Sequence, residues 1–430
     1  MSAPPAAAPP PRLAPADRWY VLAVLTAVYA LNIADRFSIS TLIEPIKQEM
    51  HLSDTRLGAL TGWWLGLFYI GVGIPVAALA DRANRRNILA VALAAWSLMT
   101  AACGFVRTSL QLVLARIGVG VAEAGGTAPS TSILADKFPP ERRPMALTVF
   151  ALGACLGAWL GSWLAGEVAE TRGWRAAFLV LGVPGTMLAL LVWLTVREPI
   201  RGGLDRGHSP TAGSYRETLR FIAGQRSAVH LVLGGSVATL WSWGLMVWTT
   251  AFLQRFHHLS VGEAGGLLGY MHLIAGTAST VLAAVLVSRR VAADPRYVAR
   301  LLAVVVVLTT IPSVLAYWVS SLSLATLMLW LFIPGVYFYI GPILGLLQNV
   351  VPANMRATAC ALLLFLANFG NLVVAPQLIG LLSDVFRDYF GAGNESLRWA
   401  QLVLAPTGFW AAWHLWASGR TIRSDQARAL

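Results

Sequence analysis

Charge is the scarcest ingredient of this 430-residue chain: Asp, Glu, Lys and Arg together make up only 12% of it. A soluble globular protein carries roughly 25%, so a soluble fold is excluded. Cysteine is nearly missing as well. Cys103, Cys155 and Cys360 each lie in an apolar stretch without metal or disulfide spacing, which leaves them as small packing residues. No Walker loop, serine-hydrolase elbow or zinc motif is present, so neither ATP hydrolysis nor conventional hydrolysis is supported, and no cofactor or metal is expected. Gly118-x-Gly120 imitates part of a dinucleotide fingerprint, but no strand precedes it and it lies within an apolar span. The opening MSAPPAAAPPPRLAPAD has no charged start followed by an apolar core. It reads as a disordered cytosolic tail and not as a cleaved signal.

What the chain does have is apolar surface: 57% of its residues are hydrophobic, and the mean hydropathy is +0.65. These residues fall in blocks of about 20, long enough to cross a bilayer core of roughly 30 Å. Such blocks must be helices, because only a helix satisfies its own backbone within one segment in lipid. Reading blocks between polar punctuation predicts twelve spans. Six lie near 19–43, 57–80, 88–107, 110–135, 145–168 and 175–196. Six more lie near 228–254, 263–287, 298–318, 322–349, 356–383 and 397–418. The expected class is therefore an all-α membrane protein. Its expected parts are a tail at 1–17, a six-helix bundle at 18–197, a linker at 198–226, a second bundle at 227–419 and a tail at 420–430. Seventeen Trp and ten Tyr suit anchoring at two water–lipid interfaces.

A net charge of +12 invites a nucleic-acid reading, but the basic residues sit in short loops and form no stripe, so no nucleic-acid partner is expected. Assigned to alternating sides, Lys and Arg divide 22 to 8 in favour of the side carrying both termini. The positive-inside rule makes that side the cytoplasm. The two arginines left over, Arg36 and Arg116, lie inside spans.

Asp35 and Arg36 in span 1, with Arg116 and Glu123 in span 4, are thus four ionisable residues in apolar helices. Each would cost about 2.5–3.5 kcal/mol facing lipid at a helix centre, so they should face inward or each other. Arg116 and Glu123, seven apart, share a helical stripe, and the four charges cancel. The plainer alternative is a static salt bridge. A buried pair is poor value for stability, however, and a carboxylate beside a cation can carry a proton. A second constellation, ALADRANRR, holds Asp81, Arg82, Arg85 and Arg86 between spans 2 and 3, where it can latch helix ends together. A weaker relative, VSRRVAADPR, sits at 287–296. Gly153, Gly157 and Gly161 recur at intervals of four, which lets helices approach closely.

The second half offers Trp241, Trp243, Tyr270, His272, Tyr337, Tyr339, Asn368 and Asn371 as candidate cavity residues. A cavity charged on one wall and greasy on the other suits an amphipathic anion, with Arg36 or Arg116 meeting its head group.

ADRANRR resembles the major facilitator loop motif, with Ala77 where Gly is usual. Asp35-Arg36, ARIGVGVAEAGGTAPSTSILADKFPPERR, GWRAAFLVLGVPG and REPIRGG resemble the Spinster-like branch, most densely over 30–203. The resemblance implies a major facilitator fold and export of lysolipids or sphingosine-1-phosphate. It further implies Asp35 as the protonation site, Arg36, Arg116 and Glu123 as coupled partners, and Asp81, Arg82, Arg85 and Arg86 as a cytosolic gate. The expected protein is a monomeric, proton-coupled carrier of an amphipathic lipid in a bacterial inner membrane. Its rivals are a carrier of a smaller organic anion or drug and a non-transporting lipid-binding receptor or scaffold.

Overall fold

The computed structural model describes residues 15–80, 82–201, 215–288 and 294–429, and no strand occurs among them. The first half supplies α1 (Pro15–Thr41), α2 (54–80), α3 (Arg85–Cys103), α4 (109–137), α5 (Arg143–Arg172) and α6 (Trp174–Thr195). The second supplies α7 (Arg226–Phe256), α8 (Val261–Val287), α9 (Pro295–Trp318), α10 (Leu322–Asn349), α11 (Ala353–Phe390) and α12 (396–429). Nine of these are long and apolar enough to cross a membrane by length and composition, among the described residues. The other three, α2, α4 and α12, fall where spans were expected. Each is interrupted: α2 by a π turn at Ala59–Trp63, α4 by a turn at 124–126, and α12 at 405–406. Among the described residues the fold is all-α, with twelve long helices in two six-helix bundles.

Two boundaries differ from the sequence reading. Residues 420–429, expected as a tail, continue α12, because Ile422 is buried and the Asp425 carboxylate accepts the Ser227 backbone N–H at 2.8 Å. Within the expected linker, Tyr215–Gly224 forms an amphipathic helix that buries Thr218 and Ile222. The remainder of that linker, 202–214, and residues 1–14 of the expected tail lie outside the described residues.

Local chemistry sets the helix starts. Thr108 and Gln111 form a capping box at the head of α4, Ser260 and Glu263 do so at the head of α8, and Asn84 caps α3. Inside the first bundle α1 packs on α5 and α3 on α6; inside the second, α12 packs on α7 and α9. The glycine stripe of α5 decides the α1 contact. A side chain at Gly157 or Gly161 would run into the carbonyl oxygens of Ala30 and Ala34, so the helices pack backbone to backbone beside Asp35.

The bundles meet along α1–α7, α2–α11 and α5–α8. These contacts gather on the side away from the termini, here the far side. There Thr250 donates to the Ser40 carbonyl at 2.9 Å, Gln254 donates to that of Thr41 at 3.2 Å, and Gly58 and Gly62 press on α11 at Pro376 and Leu372. Toward the terminal side, a side chain at Gly71 or Gly73 of α2, or at Gly341 or Gly345 of α10, would meet open space beyond its own helix.

Candidate transport site

The four intramembrane charges come together as two crossed pairs. Arg116 Nη1 donates to Asp35 Oδ2 at 2.6 Å, and Arg36 Nε and Nη2 donate to Glu123 Oε2 at 3.0 and 2.8 Å. Neighbours in sequence therefore pair with different partners. Helix periodicity explains why: Asp35 and Arg36 point about 100° apart on α1, so each meets a different level of the α4 stripe. The α3 hydroxyl of Thr100 donates to Asp35 Oδ1 at 2.5 Å.

Burial separates the pairs. Asp35, Arg116 and Glu123 are buried, whereas Arg36 keeps 18% of its side chain exposed and lies over the Tyr69 ring at 4.9 Å. Arg116, expected to meet a head group, is enclosed within the first bundle in this conformation. Its Nε and Nη2, and Glu123 Oε1, have no hydrogen-bond partner among the described residues. Beside Asp35, Leu31, Trp96, Ser97, Thr100, Leu181 and Gly182 line a cavity of about 10 Å³, roughly the space of one water.

The second-half candidates divide. Tyr337 and His272 bond to each other (hydroxyl to Nδ1, 2.9 Å), and Trp243 packs edge-on against both Tyr337 and Phe37 of α1. Trp241 turns into its own bundle, its indole donating to Ser313 at 3.1 Å, and the Tyr339 hydroxyl is bound by Ser242 and Thr239. Tyr270 is 46% exposed at the α5–α8 seam beside Trp159. Asn368 precedes a π turn at Phe369–Val374 in α11, and Asn371 lies in this turn, which packs against the π turn of α2.

At the terminal side Arg85 is buried and binds Asp136 at 2.5 Å, Glu198 at 2.7 Å and Ser132 at 2.8 Å. Glu198 also accepts the Arg86 backbone N–H at 2.9 Å. Arg201 donates to the carbonyls of Ala80 and Ala83. This lock ties the ends of α3, α4 and α6 to one another within the first half. Arg82 is exposed, and Asp81 lies outside the described residues.

A further cluster on the far side escaped the sequence reading. Asp54, at the head of α2, is fully buried and receives Arg255 through two nitrogens at 2.7 and 2.8 Å, Lys47 at 2.7 Å and Ser383 at 2.7 Å. Arg255 also reaches Glu44 at 2.5 Å. Asp384 of α11 accepts the backbone N–H groups of Asp54 and Thr55, capping α2 from the other bundle. Lys47 and Arg255 were visible in the sequence only as charges at span ends, where charges are expected anyway.

Comparison with known proteins agrees with this architecture. The family model described as Major Facilitator Superfamily matches residues 25–375. An MFS-type efflux pump of Mycolicibacterium smegmatis is 35% identical over 91% of this chain and 90% of the pump. Protein spinster homolog 1 of Xenopus tropicalis is 25% identical over 95% of this chain and 82% of its own length. The solved structure of a bacterial homolog of the human lysosomal transporter Spinster, inward-facing and unoccupied, matches at a TM-score of 0.84. It shares 28% identity over 96% of this chain and 99% of that one. This chain is a transporter and not an enzyme; it belongs to the major facilitator superfamily and is similar to Spinster proteins within it.

Proposed function

We propose that this protein moves an amphipathic anionic lipid, of the lysophospholipid or sphingosine-1-phosphate kind, across the membrane by proton-coupled alternating access. The crossed pairing of Asp35 with Arg116 and of Arg36 with Glu123 carries the reading. As paired, the four charges sum to zero. A proton on Asp35 removes one carboxylate and leaves Arg116 without its partner. Arg116 has spare N–H donors, Glu123 has a spare oxygen, and both lie on one stripe of α4. Arg116 can therefore turn to Glu123, which loosens its hold on Arg36. The site now carries one net positive charge on its most exposed member.

An anionic head group on Arg36 neutralises that charge, and the guanidinium fork suits a phosphate. A buried charge left unpaired costs about 3–5 kcal/mol, so proton and anion favour each other's binding. Phe37, Trp243 and Tyr337 offer the apolar wall for the chain that follows the head group.

With the termini in the cytoplasm, as the 22-to-8 charge distribution supports, the structure is closed outside and open inside. The Asp54–Arg255 cluster holds the outer side shut. Arg85 keeps the inner ends of the first bundle moving as one body, and Arg82 and Arg86 stand where the inner side would close.

Transport of labelled lysolipid or sphingosine-1-phosphate in proteoliposomes, with and without a pH gradient, tests this. Movement should follow the gradient in wild type and lose that dependence in Asp35→Asn. Indifference to both would leave a facilitator and remove the role given to Asp35. Similarity to an efflux pump favours one second reading, a carrier of a smaller organic anion or drug on the same four charges. Folded protein that moves no lipid would decide for it.

A further inference from the structure

Helix α8 takes a π turn at His272–Gly276, and His272 opens it. Such turns are rare inside α-helices and concentrate at functional positions. His272 is fully buried. Its Nδ1 meets the Tyr337 hydroxyl at 2.9 Å, while its Nε2 has no hydrogen-bond partner among the described residues. A buried polar atom left so costs about 1–3 kcal/mol. Phe37 covers the imidazole edge-on at 4.8 Å between ring centroids, and Trp243 closes the box against Phe37 at 5.9 Å and Tyr337 at 5.5 Å. Among the described residues, the titratable groups around this box are Tyr337 from α10, Cys155 from α5 and Tyr29 from α1; beyond Tyr29 lie Arg36 of α1 and Tyr69 of α2. Helix α7 contributes only the neutral Trp243.

We propose that His272 is a second proton site, on the second half, which Phe37 shields while the far side is closed and uncovers when it opens. The proposal rests on the alternating-access reading above. Phe37 belongs to the first bundle, whereas His272, Tyr337 and Trp243 belong to the second, so rocking about the far-side seam moves Phe37 relative to the ring. Beneath Phe37 an imidazolium would be a buried cation, and none of the groups named is a carboxylate that could pair with it. Once uncovered to water, the ring can take a proton. Reseating Phe37 would then bury an unpaired cation, which disfavours closure. Acid therefore holds the far side open, through a group distinct from Asp35.

The test uses full-length protein in nanodiscs with spin labels at Gln48 and Asn394, which face each other across the far-side vestibule from the two halves. Distances are measured from pH 8 to pH 5 for wild type, His272→Gln, Asp35→Asn and the double variant. Each proton bound only in the open state multiplies the open-to-closed ratio by up to about tenfold per pH unit. The open fraction should rise as pH falls from 8 to 5 in wild type. His272→Gln should remove up to about tenfold per unit of that rise, and Asp35→Asn should keep the His272-dependent part.

An open fraction independent of pH in wild type, or a rise untouched by His272→Gln, overturns the proposal. A His272-dependent rise in protein that moves no lipid would sink the lipid reading and sustain this one. A second measurement leaves residue 272 unchanged. Carbethoxylation of His272, read by peptide mass spectrometry, should be slow in wild type at pH 8 and faster in Phe37→Ala; equal rates overturn the shielding.

Discussion

Replacing Asp54 with Asn tests what holds the far side shut. In the closed state its carboxylate binds two nitrogens of Arg255, Lys47 and Ser383, and Asp54 itself is fully buried where α2, α7 and α11 meet. Asparagine keeps the size and can still accept from Ser383, so the change is essentially one of charge. Breaking one side of a buried ion pair costs about 3–5 kcal/mol. Two features of the site reduce that figure. Arg255 retains Glu44 at 2.5 Å, and Lys47, with 20% of its side chain exposed, can turn to water. A net loss of roughly 2–3 kcal/mol remains. Only the closed state contains these contacts, so the closed-to-open ratio should fall about 30- to 150-fold, at tenfold per 1.36 kcal/mol. Distance measurement between labels at Gln48 and Asn394 reads this directly, as a long-distance population that grows in the variant. A distribution identical to wild type, in folded protein, would refute the assignment of Asp54 as the latch.

Gly157→Leu should lower the unfolding temperature, because the side chain must displace the Ala30 carbonyl from the α1–α5 contact at a cost of about 1–3 kcal/mol or more. Gly71→Ala, with nothing within 4 Å, should leave the temperature unchanged or raise it slightly; equal losses in both would contradict the packing argument. Glu49, in the short helix after α1, accepts from Arg175 at 2.8 Å and from the Trp174 indole at 2.7 Å, and these bonds hold its carboxyl below the ordinary range. Its contribution is therefore present above the ordinary carboxyl pKa and fades as pH falls through the depressed value. Because Glu49 is half exposed, the effect is small. The difference in unfolding temperature between wild type and Glu49→Gln should be largest at neutral pH and close below about pH 4. A gap that widens in acid would reverse the sign and refute it.

How much of this could be read from the sequence follows from where charges are unusual. Asp35, Arg36, Arg116 and Glu123 stood out because charge inside an apolar span needs a reason. Their pairing did not, since adjacent residues on α1 answer to different levels of α4 and spacing within one helix cannot choose between them. The Asp54 cluster was hidden for the opposite reason: a charge at a span end is ordinary, and only the meeting of α2, α7 and α11 makes this one a junction. Among the second-half candidates the sequence could not tell a side chain aimed at the seam from one turned inward. Trp243 reaches Phe37 of the other bundle and Tyr337 packs on Trp243, while Tyr339, two residues from Tyr337, is held by Ser242 and Thr239 within its own bundle. The π turns that hold His272 and Asn371 have no residue signature in the sequence.

Binding of sphingosine-1-phosphate or a lysolipid as a function of pH, in wild type and Asp35→Asn, tests the exchange of partners at its centre. If a proton on Asp35 frees Arg36 for the anion, wild-type affinity should rise by up to about tenfold per pH unit as Asp35 takes its proton. In a His272→Gln background, Asp35→Asn should bind tightly at every pH, fixed in the proton-bound pattern. Binding by His272→Gln that ignores pH, or a pH dependence that survives in the His272→Gln/Asp35→Asn double variant, would contradict the coupling of these four residues.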